Sequence, residues 1–221
     1  MTRFLKKFSI CLAALMMLLT AVFAAGCGDT QQKETPEASM TNYTAAVLRF
    51  DAESARKIGR DPETLREEFK NSAKKGFDKT NHRKGAKYAQ EDLDAYANSQ
   101  WDGLMELMPR VNYEIHTVKS DEQAATVEIT LDVFDCPAAM QEMAQEMGQS
   151  GQYKDKTDGE ILTAIGKNSL EKFRGLQPAR RETLKIACTY NKKNNRWEPN
   201  GGVSSFANKL YTTASGQKKA K

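Results

Sequence analysis

At Pro109 the spacing of the apolar residues changes, and that change restricts the fold more than any other feature of the chain. Before it, apolar side chains recur every three to four residues. Tyr43, Val47, Phe50 and Ile58 share one face of a segment from Thr41 to Ile58 that Gly59 ends. Asp61-Pro62 then supplies an N-cap and a first-turn proline for a second helix carrying Leu65, Phe69 and Phe77. After a polar, basic loop from Lys79 to Lys87, a third helix is predicted from Glu91 to Met108 through Leu93, Tyr96 and Leu104. Beyond Pro109 the period is two. Val111, Tyr113 and Ile115 alternate with polar residues, Ser120 to Ala124 turns, and Val127, Ile129, Leu131 and Val133 alternate again. This predicts an antiparallel hairpin with one buried face, stopped by Pro137.

A short helix from Ala138 to Met147 and a fourth long one opened by the capping box Thr157-Asp158-Gly159-Glu160 follow. A second hairpin, Thr183 to Tyr190 and Arg196 to Glu198, precedes an amphipathic segment with Phe206 and Leu210. Helices come early and hairpins late. The expected class is therefore α+β, with N-terminal helices packed on a four-stranded antiparallel sheet rather than alternating βαβ units. That order of elements resembles the cystatin-like and NTF2-like group, which implies a bent sheet wrapped around a helix with room for a pocket.

The first 27 residues carry a different message. Arg3, Lys6 and Lys7 precede an apolar run from Phe8 to Ala25, and Ala24-Ala25-Gly26-Cys27 follows. A basic start, an apolar stretch and small residues form an export signal. The closing cysteine resembles the lipobox of bacterial lipoproteins, with Ala24 where leucine is more usual. The resemblance implies cleavage between Gly26 and Cys27 and a diacylglycerol on the Cys27 thiol. An uncleaved membrane anchor is the alternative, since about 20 apolar residues span a bilayer, but the small residues and the abrupt polar switch favour cleavage. Residues 1–26 are thus read as signal and 27–40 as lipidated terminus and tether, because Gln31 to Ser39 has almost no apolar side chain. Residues 41–211 form one domain, and 212–221 a basic tail.

Loss of Arg3, Lys6 and Lys7 takes the net charge from +4 to +1. A nearly neutral mature chain points away from nucleic acid and leaves the membrane to be reached through lipid. The expected location is the extracytoplasmic face of the cell membrane, or an outer membrane in a cell with two. The stretches "VLRFDAESARKIGRDPETLREEFKNSAKKGF" and "AQEDLDAYANSQWDGLMELMPRVNYEIHTVKSDEQAATVEITLDVFD" also resemble a lipoprotein family of low-GC bacteria classed as a domain of unknown function. That resemblance implies a secreted, lipid-anchored, single-domain protein and brings no activity with it.

Three candidates for chemistry remain. Cys136 and Cys188, left after the signal and lipid cysteines are set aside, are either a disulfide of an exported domain or two buried thiols. Glu114, His116, Glu128 and Asp132 share the polar face of the first hairpin, where a carboxylate beside an imidazole suits proton transfer in a hydrolase or isomerase if the face lines a pocket. If it faces water, they are ordinary alternation. Met140, Met143 and Met147 put three thioethers on one helical face, which fits either Cu(I) or the filling of an irregular core. His82 and His116 fall in no metal-binding spacing, and no nucleophile elbow or phosphate loop is present. Trp101 and Trp197 read as core or pocket wall. The sequence implies no cofactor. It favours a non-catalytic module for a small molecule or an envelope protein over an enzyme.

Overall fold

The computed structural model describes residues 33–80 and 88–217. Seven helices and four strands follow in the order α1 (Pro36–Leu48), α2 (Ala52–Lys57), α3 (Pro62–Thr80), α4 (Gln90–Leu107), β1 (Tyr113–Ser120), β2 (Ala124–Phe134), α5 (Cys136–Ser150), α6 (Asp158–Gly175), β3 (Pro178–Asn191), β4 (Arg196–Pro199) and α7 (Gly202–Ala214). The strands form one antiparallel sheet in sequence order. The class is α+β.

Alternation in β2 dictates how the layers stack. Val127, Ile129, Leu131 and Val133 are fully buried. The register sets Ile115 opposite Ile129, and Val127 opposite Ile186, so one face of the sheet is a continuous apolar surface. Helices α1 and α7 lie on it. They bring Met40, Val47, Phe206 and Leu210, all essentially without exposure. Beyond them α3, α4, α5 and α6 form a helical layer whose tightest pair is α4 with α6.

That pair is close because small residues allow it. A Cβ added at Gly103 of α4 would sit 2.6 Å from the ring of Phe173 on α6, and one at Gly166 would sit 3.1 Å from Ser99. Buried Gln100 donates to the Ser169 hydroxyl at 2.5 Å across the same seam. Ser169 in turn donates to the Ile165 carbonyl at 2.6 Å.

Local chemistry sets the helix ends. The predicted capping box is present, Thr157 accepting from the Glu160 N–H and Glu160 from the Thr157 N–H at 2.9 Å. Asp61 accepts from both the backbone N–H and the hydroxyl of Thr64 at 2.8 Å, which holds its carboxyl below the usual range.

Four expectations are corrected. The single helix from Thr41 to Ile58 is two helices. Phe50 adopts φ 48°, and Asp51 caps α2 by accepting from the Ser54 N–H at 2.7 Å. The break drops the Phe50 ring between Phe69 and Trp101, with ring centroids 6.0 and 5.9 Å away.

The segment read as tether is also structured from Lys33 onward. Helix α1 begins at Pro36, Ser39 and Met40 are buried, and the Trp197 indole N–H donates to the Glu34 carbonyl at 2.8 Å. The Lys33 ammonium lies 4.5 Å from the Trp197 ring and 4.2 Å from that of Tyr190. Polar residues are held here by hydrogen bonds and cation–π contacts rather than by apolar burial.

At the other end, residues 212–214 complete α7, and Ser215 is buried, its carbonyl accepting from the Cys136 N–H at 3.3 Å. The domain thus includes residues read as tail. Of the loop expected from Lys79 to Lys87, Lys79 and Thr80 continue α3. Residues 81–87, among them His82, lie outside the described residues, as does the Phe77 side chain.

Gly103→Ala is expected to destabilise the domain by about 1–3 kcal/mol through overpacking against Phe173. Gly148→Ala in α5, where a Cβ meets nothing within 4 Å, should instead stabilise by about 0.5–1 kcal/mol. Urea denaturation of the two variants checks both signs.

Candidate functional site

The sheet leaves no hollow on its apolar side among the described residues. Trp197, Ile129, Leu131 and Phe134 are at most 1% exposed, and Phe206 and Leu210 fill the space opposite. The room expected against the sheet lies instead in the helical layer. A cleft of about 550 Å³ opens between α3, α4 and α7. Its size falls in the range of small-molecule sites.

Aromatic side chains make its apolar wall. Phe69 comes from α3, Trp101 and Leu104 from α4, and Tyr211 from α7. The Phe69 and Tyr211 rings meet edge to face, 6.1 Å apart. The Tyr211 hydroxyl donates to the Val47 carbonyl at 2.7 Å, fixing the ring, and burial pushes its pKa up. Polar groups ring the opening: Ser72 on α3, and Ser204, Asn208 and Thr212 on α7, while Gln100 on α4 lies buried within the lining. The one charged residue among the described lining residues is Glu68, which is paired with Arg60. Such a wall suits an amphipathic compound with an aromatic or alicyclic body.

Trp101 was legible in sequence as core or pocket wall and is both, 3% exposed with one side on the cleft. Tyr211 and Asn208 were not. They arrive from a helix more than 100 residues further along, and only the packing of α7 under α3 and α4 brings them in.

Glu114, His116, Glu128 and Asp132 do share a face, as the alternation predicts, but it is the open outer face of the sheet. His116 sits opposite Glu128, and Glu128 opposite Lys185, whose ammonium is 3.3 Å from its carboxylate. Arg181 binds Glu114 at 2.9 Å and approaches Asp132 at 3.5 Å. Asp132 also accepts from the backbone and side-chain N–H groups of Asn112, at 3.2 and 2.9 Å. Its carboxylate is a clamp that ties the start of β1 to β2. Glu114, Glu128 and Asp132 are bound up in cross-strand ion pairs, His116 is exposed across from Glu128, and the four enclose no space for a substrate. The hydrolase or isomerase reading falls with that geometry.

The disulfide option falls too. Cys136 and Cys188 are both free and buried. Cys188 pairs with Ala125 near the start of β2, whereas Cys136 follows the end of that strand at Phe134. Nine residues at about 3.3 Å each put them roughly 30 Å apart, against the about 7 Å a bridge tolerates. Burial, aided by the nearby Asp135 charge, pushes the Cys136 thiol up to about 12, and burial alone pushes Cys188 up to about 11.

Met140, Met143 and Met147 line one face of α5 against Ile161 and Ile165 of α6. Gly26 and Cys27 lie outside the described residues. Among the described residues, no group of three or more His, Cys, Asp or Glu side chains is gathered to hold a metal ion, and no helix is long and apolar enough to cross a membrane.

Fold and cleft together define an α+β domain with its pocket in the helices rather than against the sheet. A solved chain with a similar fold is ycdA of Bacillus subtilis, which is described as a lipoprotein. It superposes with a TM-score of 0.61 at 16% identity, over 80% of this chain and 55% of the other. The chain thus spans little more than half the length of that neighbour. No protein-family model and no curated protein sequence matches it.

Because the thiolate is the reactive form, Cys136 and Cys188 should resist iodoacetamide in the native protein at pH 8 and both react in guanidinium. The mass of the unreduced domain should equal that of the reduced one, and a two-dalton gain on reduction would show a bridge.

Proposed function

We propose that this chain is a lipid-anchored protein of the bacterial cell envelope whose domain binds a small amphipathic molecule in the α3–α4–α7 cleft and performs no chemistry on it. The cleft carries the reading. It combines an aromatic wall, a polar rim and a volume of about 550 Å³, and the hairpin residues that could have supported catalysis are engaged with Arg181, Lys185 and Asn112 instead.

The anchor rests on the export segment. Phe8 to Ala25 and the Ala24-Ala25-Gly26-Cys27 junction supply the signal and the acylated residue, and the description of ycdA as a lipoprotein agrees with it. On this reading Cys27 carries diacylglycerol, the mature chain sits on the extracytoplasmic face of the membrane, and the resemblance to lipoproteins of low-GC bacteria extends to this protein. Each buried methylene contributes about 0.8 kcal/mol, so two or more acyl chains hold the protein stably without help from its +1 surface. The ligand is uncharged on this reading, since Glu68, the charged residue at the opening, is already paired with Arg60.

Growth with an alkyne-bearing palmitate analogue should label the wild-type protein and leave Cys27→Ala unlabelled. The cleft is tested with N-phenyl-1-naphthylamine, a neutral aromatic amphiphile, read by energy transfer from tryptophan. Ser72→Trp, at an exposed position that faces the cleft, should weaken the probe about tenfold, on the order of 1.4 kcal/mol, with unchanged circular dichroism. Equal binding by the variant, or none by the wild type, removes the cleft from the proposal.

A further inference from the structure

The helical layer holds a second recess, on the far side of α6, that the proposed cleft does not use. It lies between α5 and α6, and three methionines border it. Met140, Met143 and Met147 stand at positions i, i+3 and i+7 of α5, so each is a neighbour of the next on one helix face, with Cβ atoms about 5–6 Å apart. The opposite wall is Ile161 and Ile165 of α6, and Tyr153 from the α5–α6 connection closes one end.

An ordinary core would consume these side chains. Met143 is buried at 3% exposure, Met140 and Met147 are only partly buried, and about 420 Å³ of apolar space remains beside all three. Long, flexible thioethers border unfilled volume here, where branched side chains would fill it.

The chemistry of that space is selective. Thioethers are neutral, soft donors that favour Cu(I) over harder divalent ions. Among the described residues that border it there is no His, Cys, Asp or Glu. A Cu⁺ held by neutral ligands keeps its charge, and the adjoining recess answers it. That recess shares Met143, Met147 and Tyr153 and adds Glu146, Glu171 and Lys172. Two carboxylates against one ammonium leave it net −1. Lys172 is already committed, 2.8 Å from Glu146 and 3.5 Å from Glu142. Tyr153, whose hydroxyl accepts from Asn168 at 3.3 Å, gives the site a fixed wall.

We infer that Met140, Met143 and Met147 form a binding site for one Cu(I) ion at the α5–α6 groove. The inference is independent of the α3–α4–α7 cleft and of its ligand.

The test is a titration of the purified full-length protein with Cu(I) under anaerobic ascorbate, followed through carbon-13 labels on the methionine methyl groups. The methyl resonances of Met140, Met143 and Met147, assigned by single substitutions to leucine, should shift together and saturate at one equivalent, while those of Met40, Met105 and Met108 hold still. Leucine conserves volume. The variant Met140→Leu/Met143→Leu/Met147→Leu should therefore keep its thermal transition and lose to a bicinchoninate competitor the copper that the wild type retains. Unmoved methionine resonances, saturation beyond one equivalent, or equal retention by the triple variant would each overturn the site. Should the triple variant unfold, the wild-type methyl shifts decide alone.

Discussion

Everything in this domain is arranged around the need to cover β2. It is paired on both edges, so its backbone is satisfied by the ladder, and its inner side chains must be removed from water by something outside the sheet. Helices α1 and α7 do this from opposite ends of the chain. Burying a side chain such as Ile129 or Leu131 contributes about 1.5–3 kcal/mol, so neither terminal helix is dispensable. The outer side chains of the same strand obey the opposite rule. Glu128, Thr130 and Asp132 meet Lys185, Thr183 and Arg181, including a 2.8 Å contact between the hydroxyls of Thr130 and Thr183, and the face stays wet. A strand with one dry and one polar side decides where helices go and where they do not.

The location of the cleft follows. Because α1 and α7 press fully onto the sheet, imperfect packing is displaced to the next layer, where α7 meets α3 and α4. Those helices converge over aromatic rings rather than branched aliphatics, and rings that meet at edges leave gaps. A domain with helices on one face of a sheet is free to place its pocket against the strands or among the helices. Here the bulk of Trp197, Phe134 and Phe206 decides between them.

Much of this was legible in the residues. Period-two alternation located both hairpins, and the Thr157 to Glu160 capping box located the start of α6, because these signals are local and depend on backbone geometry alone. Composition misled where polar side chains had distant partners. Glu34 to Ser39 looks unable to fold because hydropathy counts apolar area, yet its hydrogen bonds run to Trp197, over 150 residues away. The break at Phe50 was hidden because the apolar period continues through it, and the only local sign was Asp51 with Ser54 three residues on. The polar face of the hairpin was found correctly, but its meaning depended on Arg181. That residue lies in the first half of β3, where apolar alternation is too weak to mark a strand. The cleft needed three helices at once, and no periodicity within one helix encodes that.

The sheet's longest ladder, between β2 and β3, joins strands separated in the chain by the whole α5–α6 hairpin. In folding terms, β1 and β2 close through a short turn, whereas β3 finds its register only after an excursion from Asp135 to Gln177 has been brought back. Closing a loop costs only about (3/2)RT ln n, so the length of that excursion matters little to stability but slows assembly. Its two helices therefore form a module set into an otherwise simple four-strand meander. Its length can change while the sheet keeps its register, but its content is held, because Gly166, Ser169 and Phe173 are fitted against α4.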